Sequence, residues 1–301
     1  MQITFEQVSY TYGIKTPYEE QALKEVSFTI PRQKLVTVLG HTGSGKTTAL
    51  QLIKGLIHPT SGNVNYTEGQ QSVQATSKKP NKIDKQKLHD MWTKIGYVFQ
   101  YPEHQLFEET VGQDIAYGPR NLKYSETDIQ EIVQNALREV ELDAQRFADR
   151  SPFELSGGEM RRVAIAGILA MNPRLMILDE PMAGLDPLSK RNLLARLYTL
   201  HKQNQWTTVC VSHHIDELWQ YTDLFLIFHN KQVVFQGTKE RLLAEWQQGN
   251  TLIEPPMLVK LAMELIRKGK ITTALSELHN VLESESKFAD FLRTELTLTK
   301  E

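Results

Sequence analysis

Residues 35–48 constrain this chain more than any other stretch. A short apolar run, Leu35-Val-Thr-Val-Leu39, ends at Gly40-His-Thr-Gly-Ser-Gly-Lys46-Thr47, and Thr48-Ala-Leu-Gln-Leu-Ile53 then opens a helical pattern. G-x-x-x-x-G-K-[ST] between a strand and a helix is the pattern of a phosphate-binding loop. Its glycines let successive backbone N–H groups turn toward one anion with no Cβ in the way. The helix that follows points its positive end at the same phosphates. This chemistry gives Lys46 the β- and γ-phosphates of a nucleotide and Thr47 a Mg²⁺ ion. Gly40, His41, Thr42, Gly43, Ser44, Gly45, Lys46, Thr47 and Thr48 are therefore candidate nucleotide contacts.

The rest of the first 240 residues fits one α/β domain. Ile3, Phe5 and Val8 mark one strand, and Leu23, Val26, Phe28 and Ile30 another, with a turn-rich stretch at 13–20 between them. Leu175-Met-Ile-Leu178 and Thr208-Val-Cys-Val211 repeat the plan of Leu35–Leu39. Uniformly apolar runs of this length suit strands buried on both faces, as in parallel sheets. Strands alternating with helical patterns indicate a mainly parallel core. The segment 120–171 reads as helical throughout, with Ile129, Ile132, Val133, Ala136, Leu137 and Val140 at helical spacing, and Pro173 ends its last helix. Residues 67–87, with Lys78, Lys79, Lys82, Lys85 and Lys87, read as a solvated loop running into a helix.

Composition excludes several classes. Lys plus Arg is 34 and Asp plus Glu 36, a net charge of −2, without the basic excess of a protein that coats nucleic acid. One cysteine, Cys210, allows neither an intrachain disulfide nor a thiolate zinc site and suits a reducing, cytosolic setting. The most apolar runs, such as 163–171, are about half of the roughly 20 residues that a membrane-spanning helix needs. The first residues carry no secretory-signal pattern. Any link to a membrane is expected through a partner.

Four further features carry chemistry. Asp179-Glu180 follows the 175–178 run, which suits a Mg²⁺-holding carboxylate and then a general base. His213 follows the 208–211 run, and Gln100 follows Ile95-Gly-Tyr-Val-Phe99. Ligands of open α/β sheets collect outside the carboxyl ends of strands, where Gly40, Gln100, Asp179 and His213 all fall. Gln100 could meet Mg²⁺ or the attacking water. His214 is expected to point elsewhere. Leu155-Ser-Gly-Gly-Glu159 is ambiguous: Ser156 and Glu159 fit a helix capping box, but Gly157 and Gly158 cost that helix roughly 1 kcal/mol each relative to alanine. Close approach of a phosphate would explain them.

After about Gly249 the pattern becomes three helical stripes: Leu258, Leu261, Ala262, Leu265 and Ile266; Leu275, Leu278, Val281 and Leu282; then Phe288, Phe291, Leu292 and Leu296. This tail is too short to bury much surface alone and is expected on the main domain, on a second subunit, or on both.

In this order, these residues resemble the ATP-binding cassette (ABC) family over about residues 1–240. Tyr12 is similar to the family's adenine-stacking aromatic, residues 40–47 to its Walker A loop, Gln100 to its Q-loop and Leu155–Glu159 to its signature motif. Residues 175–180 resemble Walker B, Gly184-Leu-Asp186 the D-loop, and His213 the switch histidine. Glu159 stands where glutamine is commoner, which bears on ribose contacts but leaves Ser156 and Gly158 in place. The resemblance implies an ABC nucleotide-binding domain over 1–245: a P-loop parallel-sheet core, an N-terminal antiparallel β subdomain and a helical signature subdomain. A small C-terminal helical dimerisation region over 246–301 follows. It implies an ATPase using Mg²⁺, with ATP held between the Walker A loop of one cassette and the signature of another.

Gln100-Tyr-Pro-Glu-His-Gln-Leu-Phe-Glu-Glu-Thr-Val111 and Ser156-Gly-Gly-Glu-Met-Arg-Arg-Val-Ala-Ile-Ala-Gly167 resemble the energy-coupling factor transporter ATPases, closest to their second, A-prime type. That narrower resemblance implies a paralogous ATPase partner, a transmembrane coupling subunit, a small membrane subunit that binds a vitamin or metal, and a place on the cytoplasmic face of the cell membrane. It also implies that Glu103, Glu108 and Glu109, beside Phe107, line a groove for a basic coupling helix. Two rivals share the nucleotide loop. Chromosome and repair ATPases insert long heptad coiled coils that this chain lacks, and translation-type cassette proteins usually carry two such loops.

Overall fold

The computed structural model describes residues 1–78, 81–250 and 253–298. Lys79 and the Leu296 side chain, named above, lie outside this description. Strands β1 (Gln2–Tyr12) and β2 (Glu20–Ile30) pair antiparallel, with Phe5 opposite Phe28 and their rings stacked at 4.3 Å. β3 (Leu35–Leu39) leads through the glycine loop into α1 (Lys46–Lys54). β4 (Ser61–Glu68) and β5 (Gln71–Thr76) form a hairpin that completes a four-stranded sheet of order β2-β1-β4-β5. The solvated loop expected from residue 67 is thus corrected up to residue 76. Val64 and Tyr66 on β4 and Val73 and Ala75 on β5 alternate inward, and that period-2 pattern makes a strand pair despite the polar outer face. α2 (Lys82–Thr93) follows, capped by Asn81.

The second sheet contains β6 (Ile95–Val98), β7 (Leu175–Asp179), β8 (Thr207–Val211), β9 (Leu224–His229) and β10 (Gln232–Gly237). Its order is β10-β9-β3-β8-β7-β6, parallel throughout except for β10. Every residue of β3, β6, β7 and β8 is buried, as expected for strands covered on both faces.

Between β6 and β7 lies a helical subdomain: α3 (Val111–Asn121), α4 (Glu126–Glu139), α5 (Ala144–Phe147) and α6 (Gly157–Leu169). The expectation of helix throughout 120–171 is corrected at the breaks between these helices. Lys123 and Glu141 adopt left-handed backbone, and Ser125, Asp143 and Ser156 each cap a new helix. Side-chain caps compete with helix continuation, so a run of good helix formers can still be four helices.

α7 (Pro187–Asn204) precedes β8, and α8 (Ile215–Leu218) follows it. α9 (Lys239–Gln247) leads to the tail, which holds α10 (Met257–Arg267), two 3₁₀ turns at 275–278 and 281–283, and α11 (Glu285–Leu298). The second of the three helical stripes is therefore two short turns rather than a helix. The tail packs on the main domain: Val259, Ala262, Leu275, Leu278, Leu282 and Phe288 share a core with Leu39, Trp219, Phe225 and Trp246. Trp219 Nε1 donates to Leu282 O at 2.9 Å, and Lys239 pairs with Glu283 at 2.9 Å.

One buried histidine makes stability depend on pH. His201 on α7 is 2 % exposed, with Nδ1 2.9 Å from Thr208 Oγ1, and burial pushes its pKa down to about 4 from 6.5. As pH falls from 6.5 toward 4, the unfolded chain takes up a proton that the folded chain refuses. This stabilising contribution is complete above 6.5 and lost as pH falls through 4. Between pH 6.5 and 4.5 it should remove about 2 kcal/mol from the unfolding free energy. Urea unfolding at the two pH values measures this, and His201→Gln should show a correspondingly smaller loss.

Candidate active site

The sheet order assembles the site. β3, β8, β7 and β6 are consecutive neighbours, so the residues just past their carboxyl ends form one row. Gly40 follows β3, Ser212 and His213 follow β8, Asp179 and Glu180 end and follow β7, and Gln100 lies two residues past β6. His213, Glu180 and Gln100 line a cavity of about 230 Å³, and Gly40, His41 and His213 line a second of about 380 Å³. His214, expected to point elsewhere, lines both.

The loop is shaped for an anion. Gly40, Gly43 and Gly45 have φ of +145°, +78° and +102°. A Cβ on Gly40 would sit 2.3 Å from Phe228 O, and one on Gly45 would sit 2.6 Å from Leu23 Cδ2. A Cβ on Gly43 would meet nothing within 4 Å, which leaves a bare hollow over the backbone. Ser44 is 5 % exposed, and its Oγ has no hydrogen-bond partner. No side chain caps α1, so the N–H groups of its first turn have no side-chain acceptor. A phosphate would satisfy both the orphaned hydroxyl and the uncapped N–H groups. Lys46 Nζ folds onto the loop, donating to Gly40 O at 2.7 Å and His41 O at 3.0 Å. Burial lowers its pKa, against the pull of Glu180 and Asp179. Tyr12, at the end of β1, bonds Thr48 Oγ1 at 3.2 Å and donates to Gln51 Oε1 at 3.1 Å. Its half-exposed ring stands beside the helix that the loop opens.

The carboxylates are held from outside the expected set. Tyr97 on β6 donates its hydroxyl to Asp179 Oδ2 at 2.9 Å. Burial raises the Asp179 pKa, the Tyr97 bond opposes that, and Glu180 adds to it. In the sequence Tyr97 reads as one more position of the apolar run 95–99. A hydroxyl inside a fully buried strand must find a partner, and that was the available signal. Glu180 has φ +50°, and its N–H donates to Val211 O at 3.1 Å. His213 Nε2 lies 2.7 Å from Glu180 Oε1, within hydrogen-bond distance, and Gln100 Nε2 donates to Oε2 at 3.4 Å.

The signature residues stand apart from this row. Ser156 caps α6: its Oγ accepts from Glu159 N at 3.3 Å and lies 2.7 Å from Glu159 Oε2, which also accepts from Ser156 N at 2.9 Å. The capping box is real. Yet a Cβ on Gly157 or Gly158 would meet nothing within 4 Å, so no packing inside the chain calls for those glycines. None of residues 156–159 lines either cavity of the row, and Gly158 borders a separate small cavity between α6 and α7. Asp186 caps α7, accepting from Leu188 N and Ser189 N at 3.0 Å each. One chain thus gathers Tyr12, the 40–48 loop, Gln100, Asp179, Glu180 and His213, and leaves Ser156–Glu159 and Asp186 outside the row.

Of the three acids expected to line a groove, Glu103 turns inward onto Arg161. Glu108 is partly buried and Glu109 exposed, as are the rings of Tyr101, Phe107 and Tyr117. No helix among the described residues is long and apolar enough to cross a membrane.

Comparison with known proteins agrees with this geometry. The family model for ABC transporters matches residues 23–183. The energy-coupling factor transporter ATP-binding protein EcfA2 of Caldanaerobacter subterraneus subsp. tengcongensis is 41 % identical over 270 residues, covering 89 % of this chain and 91 % of its own. The protein of the same name from Bacillus thuringiensis (strain Al Hakam) is 39 % identical over 290 residues, covering 94 % and 96 %. Among solved structures, cbiO1 from Clostridium perfringens, part of the ABC transporter complex cbiONQ, aligns with a TM-score of 0.68 at 30 % identity, covering 88 % of this chain and 98 % of that one. The ATP-binding cassette MJ0796, a dimer in a post-hydrolysis state bound to ADP and Pi, aligns with a TM-score of 0.65 at 28 % identity, covering 78 % and 98 %. The uncapped glycine loop, the strand-end row and these likenesses over most of the chain lead to one conclusion: the chain belongs to the ABC transporter family of ATPases, among its energy-coupling factor transporter ATP-binding proteins.

Proposed function

We propose that this chain is the ATP-hydrolysing subunit of an energy-coupling factor transporter, bound peripherally on the cytoplasmic face of the cell membrane. It pairs with a second, paralogous ATPase and drives a transmembrane coupling subunit and a small solute-binding membrane subunit, for uptake of a vitamin or other micronutrient. The observation that carries the reading is the split site. The phosphate loop, both carboxylates and His213 share one row, while an exposed glycine-tipped helix waits for a phosphate that its own chain does not bring. A second cassette packed head to tail would supply it. Residues 1–245 form the nucleotide-binding domain and 246–301 the pairing region.

Within the row each residue has a task. Tyr12 stacks on adenine, residues 40–48 cradle the phosphates, and Lys46 leaves its carbonyl partners for the β- and γ-phosphates. The donor set fits Mg²⁺. Among the described residues no cluster of three or more His, Cys, Asp or Glu could hold a metal alone. Mg²⁺ characteristically binds through one or two carboxylates together with substrate phosphates. Asp179, the Thr47 hydroxyl and the Gln100 amide oxygen would hold it, and it would neutralise charge between the β- and γ-phosphates. Glu180 orients the attacking water and accepts its proton. His213 fixes the Glu180 carboxylate at Oε1 and, once ATP is bound, faces the γ-phosphoryl group. Across the dimer, Ser156, Gly157, Gly158 and Glu159 close on the partner's ATP, with Asp186 at the seam. Such pre-aimed charges supply most of the acceleration in phosphoryl transfer.

Tagged full-length chain, purified from detergent-solubilised membranes and analysed by mass spectrometry, tests the assembly. A second ATPase and at least one polytopic membrane protein should co-purify in fixed ratio. Recovery of the chain alone, in the cytosolic fraction, would refute the transporter reading.

A further inference from the structure

Arg161 on α6 is 4 % exposed and makes four hydrogen bonds. Nε donates to Glu103 Oε2 at 3.0 Å and Nη2 to Oε1 at 2.8 Å, a two-pronged pair. Nη1 donates to Pro181 O at 3.1 Å and Ala183 O at 2.9 Å. One guanidinium therefore joins three segments: the signature helix, the turn that starts three residues before Glu103 at Gln100, and the turn that begins at Glu180.

The third junction bears on catalysis. Glu180 holds φ +50°, a region where a residue with a side chain sits under strain unless its surroundings fix it. Three things fix it: Glu180 N–H on Val211 O, Ala183 N–H on Glu180 O, and the grip of Arg161 on the carbonyls of Pro181 and Ala183. Burial alone would raise the Glu103 pKa, but the bonds from Arg161 win and hold it low, so the pair stays ionised. Lysine cannot replace this fork, because its donors all radiate from one atom.

We infer that Arg161 is a positioning residue for hydrolysis: it locks the 180–183 turn that aims Glu180, and it carries any displacement of segment 101–109 into that turn. The inference rests on the role proposed for Glu180 and on the groove around residues 103–109 that the family resemblance implies. Glu103 thus acts as an internal anchor, and contact with the partner is left to the exposed neighbours Tyr101, Phe107 and Glu109.

The test uses the intact complex from membranes, carrying Arg161→Lys, Glu103→Gln or both. Photoreactive 8-azido-ATP is cross-linked to this chain at timed intervals, and the bound nucleotide is scored as tri- or diphosphate. Arg161→Lys should slow conversion at least tenfold and Glu103→Gln at least threefold, with half-saturation for labelling within threefold of wild type, because loop 40–48 is untouched. The double variant should be no slower than Arg161→Lys alone, since both break one link. Conversion within twofold of wild type in both single variants would overturn the inference. So would losses that multiply in the double variant, or a raised half-saturation with unchanged conversion. If Arg161→Lys does not assemble, the near-isosteric Glu103→Gln decides alone by the same criterion. A wild-type complex that converts no nucleotide would instead refute the proposed function, so the two failures are distinguishable.

Discussion

Replacing Glu180 with glutamine should slow hydrolysis of the nucleotide held by this chain by about 10² to 10⁴, the usual worth of a positioned general base. That corresponds to about 3 to 5 kcal/mol of activation free energy. Binding of ATP should stay within about threefold of wild type. The substitution keeps the shape of the side chain and a hydrogen-bond acceptor facing His213, 2.7 Å away in the wild type. What disappears is the negative charge and the capacity to take a proton from water. The loop that binds phosphate contains none of the altered atoms. Azido-ATP cross-linked to the variant should remain triphosphate while the wild type shows diphosphate. Equal conversion in the two would remove Glu180 from the chemistry.

Gly158→Asp should have the opposite geography. A Cβ there meets nothing within 4 Å, and a carboxylate in the first turn of a helix is favourable by about 0.3 to 1 kcal/mol. The melting temperature should hold or rise. Were α6 only a capped helix, activity would hold as well. As the lid over a partner's ATP, the helix tip would instead present a negative charge to the γ-phosphate. Losing one such anion contact costs about 10² to 10³ in rate. The stalled nucleotide should be the one carried by the opposite chain, while Glu180→Gln stalls the nucleotide on its own. Unchanged hydrolysis in Gly158→Asp would leave the two glycines without a function.

The loop, the strand ends and the signature were legible in the sequence because each is local: a short run, a glycine pattern, a cap. Glu180 could be named from its place after β7, but not the bond to His213, because that depends on β7 lying beside β8. Strand order is a long-range property and leaves no mark in a window of residues. Tyr97 and Arg161 were missed for the same reason: their partners, Asp179 and Pro181, are distant in sequence. The β4–β5 hairpin was missed for a different one. Its apolar alternation involves only Val64, Tyr66, Val73 and Ala75, diluted by an outer face of Asn, Thr, Gln and Ser.

The decisive measurement is to map which residues touch the γ-phosphate. An ATP analogue with a photoreactive group on that phosphate, bound to the Glu180→Gln complex and irradiated, should mark Ser156–Glu159 of this chain as well as loop 40–48, with the mark on Ser156–Glu159 requiring assembly of two ATPase subunits. Labelling confined to loop 40–48, in an assembled complex that hydrolyses ATP at the wild-type rate when Glu180 is restored, would contradict the shared site.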